Sequence, residues 1–81
     1  MTQADELVRA LNTHAKSPQF SYQKARATAR QSTNVDWAGT KAYNADFNPD
    51  VDGSESFVMN DGSLCAWMSA AQRYVARPTI R

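Results

Sequence analysis

The stretch Phe57-Val58-Met59-Asn60-Asp61-Gly62-Ser63-Leu64-Cys65-Ala66-Trp67-Met68 decides the fold, because it admits two readings. In the first, Asp61-Gly62 turns the chain between two apolar runs, and the Asp-Gly pair favours a type I′ hairpin. In the second, Ser63 caps a helix. Leu64, Trp67, Met68, Ala71, Tyr74 and Val75 then form one apolar stripe that Pro78 ends. The stripe is long and regular, so the pattern favours a helix over 66–76, preceded by a strand at 56–60.

Upstream of this stretch, the segment 46–56 is polar and acidic and contains Pro49 and Gly53, which marks a loop. The segment 34–45 carries Val35, Trp37, Gly39 and Tyr43 and reads as a strand bent at Ala38-Gly39. The segment 20–31 fits two periods. Alternation puts Tyr22, Lys24, Arg26, Thr28 and Arg30 on one side and Ala25, Ala27 and Ala29 on the other. Alanine propensity argues for a helix, and alternation argues for a strand with a polar outer side; the strand is slightly preferred. At the N-terminus, Ala4, Leu7, Val8, Leu11 and Ala15 make a helical stripe. Thr2 and Asp5 stand at capping-box spacing, and Ser17-Pro18 ends the segment. A helix over 3–16 follows.

These elements predict one small α+β domain spanning 1–81. An N-terminal helix and a C-terminal helix pack on a short antiparallel sheet, with a mostly α arrangement as the alternative. The expected core is Leu7, Val8, Leu11, Phe20, Val35, Trp37, Phe57, Val58, Leu64, Trp67, Met68, Tyr74 and Val75.

Composition narrows the function. The chain has 81 residues, 42% of them apolar, but 13 of these are alanine and only 20 residues are large enough to anchor a core. Such a thin core leaves a homodimer or a stabilising partner open. Cys65 is the single cysteine and His14 the single histidine, so an internal disulfide and a standard structural zinc site are both excluded. Cys65 sits among Leu64, Ala66 and Trp67, which suits a buried, inert thiol. The longest apolar run, Leu64–Met68, is far short of a membrane span. The N-terminal residues are acidic and show no signal-peptide pattern. The expected location is the cytoplasm, with no membrane partner.

No Gly-rich phosphate loop and no G-x-S-x-G motif occurs, and the paired carboxylates lie in a solvated loop. The expectation is therefore no enzyme, no catalytic residue and no cofactor. Asn48-Pro49-Asp50-Val51-Asp52-Gly53 matches the start of a calcium loop, but Met59 stands at the twelfth position, where a bidentate glutamate belongs. The expectation is no metal site.

The net charge of +1 conceals a segregation. Residues 7–45 carry an excess of five positive charges, and residues 46–62 carry five negative ones. Two contact surfaces follow. One is basic and aromatic: Tyr22, Lys24, Arg26, Arg30, Lys41 and Tyr43. The other is the acidic loop: Asp46, Asp50, Asp52 and Glu55. Charge complementarity with aromatic anchors suits a non-enzymatic regulator or inhibitor that docks on a larger protein or ribonucleoprotein. Small chains with separate basic and acidic surfaces are typical of accessory and phage-type proteins. The alternative is a single-stranded nucleic-acid-binding module using residues 20–43, since cations neutralise phosphates and exposed rings stack on bases.

Overall fold

The computed structural model describes residues 1–15, 21–45, 56–68 and 71–78. Among them are three helices, α1 (Gln3–Ala15), α2 (Tyr22–Arg30) and α3 (Trp37–Ala45), and three strands, β1 (Phe57–Val58), β2 (Leu64–Met68) and β3 (Arg73–Arg77). The strands form one antiparallel sheet in the order β1-β2-β3. The class is α+β, as the sequence predicts, with a helix at the N-terminus.

Helix α1 starts where its capping box places it. The Thr2 backbone N–H and hydroxyl both donate to Asp5 Oδ2 at 2.8 Å, and the Asp5 N–H donates back to Thr2 Oγ1 at 3.3 Å. Two further first-turn N–H groups are satisfied from 58 and 59 residues away. Gln3 N–H donates to Asp61 Oδ2 at 2.9 Å, and Ala4 N–H donates to Ser63 Oγ at 3.1 Å. The turn between β1 and β2 therefore also caps α1.

That turn is a hairpin, though not the type I′ turn that Asp-Gly suggests. Gly62 lies at φ 87, while Asp61 is not in the left-handed region. Gly62 N–H donates to the Met59 carbonyl at 3.0 Å, and Met59 N–H donates to the Ser63 carbonyl at 2.9 Å. This is a type I turn followed by a glycine bulge.

The helix expected over 66–76 is instead the second hairpin, β2–β3, whose register pairs Trp67 with Tyr74 and Ala66 with Val75. The apolar run Leu64–Met68 is a central strand buried on both sides, and such runs carry no alternation that would separate strand from helix. Cys65 and Trp67 face α1 and α2 together with Phe57, Tyr74 and Ala76. Leu64 and Ala66 face the other way, with Val58, and Tyr43 packs against them.

Segment 20–31 is also a correction. It forms helix α2 because Ser21 caps it, its side chain accepting the Lys24 N–H at 3.3 Å. Ala25 and Ala29 are buried against α1; their small side chains let the two helices approach. Of the predicted strand at 34–45, only Val35 remains, in a single bridge to Met59. Asp36 then caps α3, accepting the Gly39 N–H on Oδ1 at 2.9 Å. A β-carbon at residue 39 would collide with that carboxylate.

The core keeps most of its expected members and adds Ala4, Ala25, Ala29, Met59, Cys65 and Ala66. Alanine thus supplies part of the burial that large residues are too few to provide. Val8, Met68 and Val75 are half-buried rather than central. Trp37 is 39% exposed, against the core position predicted for it, because the first turn of α3 carries it to the surface. Phe20 lies outside the described residues.

Candidate docking surface around Trp37

The aromatics form a chain from α2 to α3 through the sheet. Tyr22 meets Trp67 edge-on with centroids 5.9 Å apart, and Trp67 meets its cross-strand partner Tyr74 at 5.0 Å. Tyr74 lies 6.0 Å from Phe57, and Phe57 lies 5.9 Å from Trp37, edge to face at 84°. Trp37 is the exposed end of this chain. Its root is held by Phe57, and its outer part reaches solvent.

Cationic residues stand on both helices near it. The Arg30 guanidinium lies over the Trp37 ring, 6.0 Å from its centroid, at the limit of cation–π attraction. Lys41 is exposed and sits four residues on from Trp37, on the same side of α3. Asp36, the acid next to Trp37 in sequence, is turned into the α3 cap.

Of the six residues predicted for the basic and aromatic surface, Arg30 meets Trp37, and Lys41 is exposed one helical turn further along α3. Arg26 is half-buried one turn before Arg30 on the same side of α2. Lys24 is exposed but six residues from Arg30, so it points to another side of the helix. Tyr22 and Tyr43 are half-buried and turned inward, Tyr22 to Trp67 and Tyr43 to the Val58–Leu64–Ala66 cluster. The acidic candidates Asp46, Asp50, Asp52 and Glu55 lie outside the described residues.

Trp37 is the surface residue that the sequence pattern conceals, because read as a strand residue it points to the core. The signal that reveals it is Asp36 followed by Gly39 at capping spacing, which puts Trp37 at the first helical position.

Other features of the described residues offer weaker chemistry. A shallow groove of about 250 Å³ between α1 and α2 is lined by Glu6, Leu7, Ala10, Thr28, Gln31 and Ser32. Glu6 is its one ionisable side chain, so it holds no acid–base pair. Cys65 is fully buried, and burial pushes its thiol up to about 12, far from a reactive thiolate at neutral pH. Among the described residues, no three His, Cys, Asp or Glu side chains gather as metal ligands, and no helix is long and apolar enough to cross a membrane. Comparisons with protein-family models, with curated proteins and with solved structures find no match for the chain.

Proposed function

We propose that the chain is a small non-enzymatic docking module, a regulator or inhibitor that binds a larger protein through Trp37, Arg30 and Lys41. The observation that carries this reading is the exposure of Trp37 beneath the Arg30 guanidinium. Tryptophan and arginine are the residue types most enriched where a few side chains carry most of an interface's energy. A large ring rooted on Phe57 loses little freedom on binding, which favours affinity. The reading places the protein in the cytoplasm, where the single buried thiol stays reduced.

Capture of partners from a lysate, with and without nuclease, tests it. Expected is a protein retained after nuclease treatment by the native chain and lost with Trp37→Ala. Capture that survives Trp37→Ala and Arg30→Glu overturns this surface and moves the contact to Asp46–Glu55. Capture that depends on nucleic acid supports the nucleic-acid module instead.

A further inference from the structure

We infer that the surface around Trp37 recognises a carboxylate-bearing segment of its protein partner, read by the Arg30 guanidinium fork. The inference rests on the docking reading above and names the chemistry of the partner.

Three observations converge. First, Arg30 is exposed and lies over Trp37, and no carboxylate of the described residues forms an ion pair with it. An exposed guanidinium beside a ring keeps its planar, paired N–H donors available, and their spacing matches the two oxygens of a carboxylate. Second, Lys41 adds a second positive charge on the Trp37 side of α3, while the nearest acid in sequence, Asp36, is committed to the Gly39 N–H at 2.9 Å. The surface thus calls for negative charge beside an apolar group that covers the indole. Third, the aromatics that would make a base-stacking track are turned inward: Tyr22 packs on Trp67, and Tyr43 on the second cluster. A single-stranded nucleic acid needs successive stacking platforms along a cationic groove, and among the described residues Trp37 is the one exposed aromatic ring. The net charge of +1 points the same way. An acidic peptide segment fits; a polynucleotide fits less well.

The two indoles make the test internal. Trp67 is buried and Trp37 exposed, so nuclear magnetic resonance can follow both indole N–H signals in one sample. The probes are an acetylated hexaglutamate peptide and an oligothymidylate of equal charge, each titrated at matched ionic strength. Expected is a saturable shift of the Trp37 indole and the Arg30 Nε–H with hexaglutamate, while the Trp67 indole stays fixed. Arg30→Lys keeps the charge but removes the fork, and should weaken the response about tenfold. An unchanged Trp67 signal in that variant shows that its fold persists.

No Trp37 shift with hexaglutamate overturns the inference, as does an equal response in Arg30→Lys, which would mean charge attraction without fork recognition. Tighter binding of oligothymidylate also overturns it, in favour of nucleic acid. The docking reading fails separately, when Trp37→Ala and Arg30→Glu both capture the same lysate partner as the native chain.

Discussion

The Thr40 hydroxyl of α3 accepts the Val58 N–H at 2.9 Å and lies 3.4 Å from the Val58 carbonyl oxygen, so a helix side chain fills the place of a neighbouring strand. The rest of that sheet edge is closed by the same segment. Asn60 N–H donates to the Asn34 carbonyl at 2.7 Å, and Asp36 N–H to the Val58 carbonyl at 2.8 Å. The Asn44 amide exchanges hydrogen bonds with both backbone groups of Ser56. Thr40 and Asn44 are one helical turn apart, which roughly matches the two-residue step from Ser56 to Val58. Replacing Thr40, 6% exposed, with valine keeps the shape but orphans the Val58 N–H. The expected loss is about 1–3 kcal/mol in urea unfolding, with Thr40→Ser recovering much of it. A neutral Thr40→Val would show that the edge is closed without the hydroxyl.

The opposite edge uses the same device. Asn12 of α1 donates its Nδ2 to the Tyr74 carbonyl at 2.9 Å and accepts the Tyr74 N–H on Oδ1 at 2.8 Å. Open strand edges invite pairing with other chains. Asn12→Ala should therefore cost about 1–3 kcal/mol in urea unfolding and raise the tendency to associate, visible by sedimentation at two concentrations. Asn12 and Asn44 serve different edges and share no partner, so Asn12→Ala and Asn44→Ala should add in the double variant. A strong departure from additivity would mean that the two edges open together.

How much of this was legible in the sequence depends on whether local or long-range partners decide each element. Helix α1 was legible because Thr2 and Asp5 cap it locally and its stripe has one period. The reversal at Asp61-Gly62 was visible as one of two readings, but the helical stripe beginning after Ser63 outweighed it. Strands β2 and β3 were not legible, because Leu64, Trp67, Met68 and Val75 fit a helical stripe as well as two buried strands. What selects the strands is pairing across the sheet, Trp67 against Tyr74, which no local pattern encodes. Helix α3 was hidden because Thr40 and Asn44 act on a strand that lies 12 to 18 residues further along the chain. The candidate surface was half legible. Arg30 and Lys41 were visible as charge, but the choice of Trp37 over Tyr22 and Tyr43 as the exposed ring follows from which side of each helix meets the core.

Acid should weaken the joint between α1 and the first hairpin. Asp61 is held below the ordinary carboxylate value of 3.8, first by the Gln3 N–H and then by Ser63, and Asp5 is held below it by Thr2. A depressed folded-state value stabilises the fold above 3.8, and that contribution disappears as pH falls through the folded value. The melting temperature should thus hold from neutrality to about pH 5 and decline below it. Asp61→Asn keeps an acceptor for Gln3 but has no proton to gain. Its melting temperature should lie below that of the native chain at pH 7, with the gap closing towards pH 3. A constant gap would mean that charge at Asp61 is irrelevant.

Cys65 offers a probe of opening. Its thiol is fully buried beside Phe57 on β1, its Cα partner across the sheet, and burial raises it to about 12. The folded chain should resist thiol-specific reagents at pH 8, with labelling limited by exposure of the central strand. Destabilising variants such as Thr40→Val should label faster, with the logarithm of the rate rising in proportion to the loss of stability, as long as reclosing outpaces reaction. Labelling as fast as a free thiol would mean that β2 is open to solvent.

The sharpest contrast lies between the two ends of one aromatic contact. Trp37 and Phe57 meet edge to face at 5.9 Å, yet Phe57 is fully buried while Trp37 is 39% exposed. Phe57→Ala leaves a cavity in the main cluster and should cost about 3–5 kcal/mol. Trp37→Ala removes the ring beneath Arg30 and part of an exposed side chain. It should cost about 1–2 kcal/mol, through lost partial burial and the lost aromatic and cation contacts. Urea unfolding of both variants, monitored through the remaining Trp67 in Trp37→Ala, measures this directly. A small stability loss at Trp37 combined with loss of partner capture separates binding from folding at that residue. A loss equal to that of Phe57→Ala would make Trp37 a core residue, and capture experiments on Trp37→Ala would then report unfolding rather than contact.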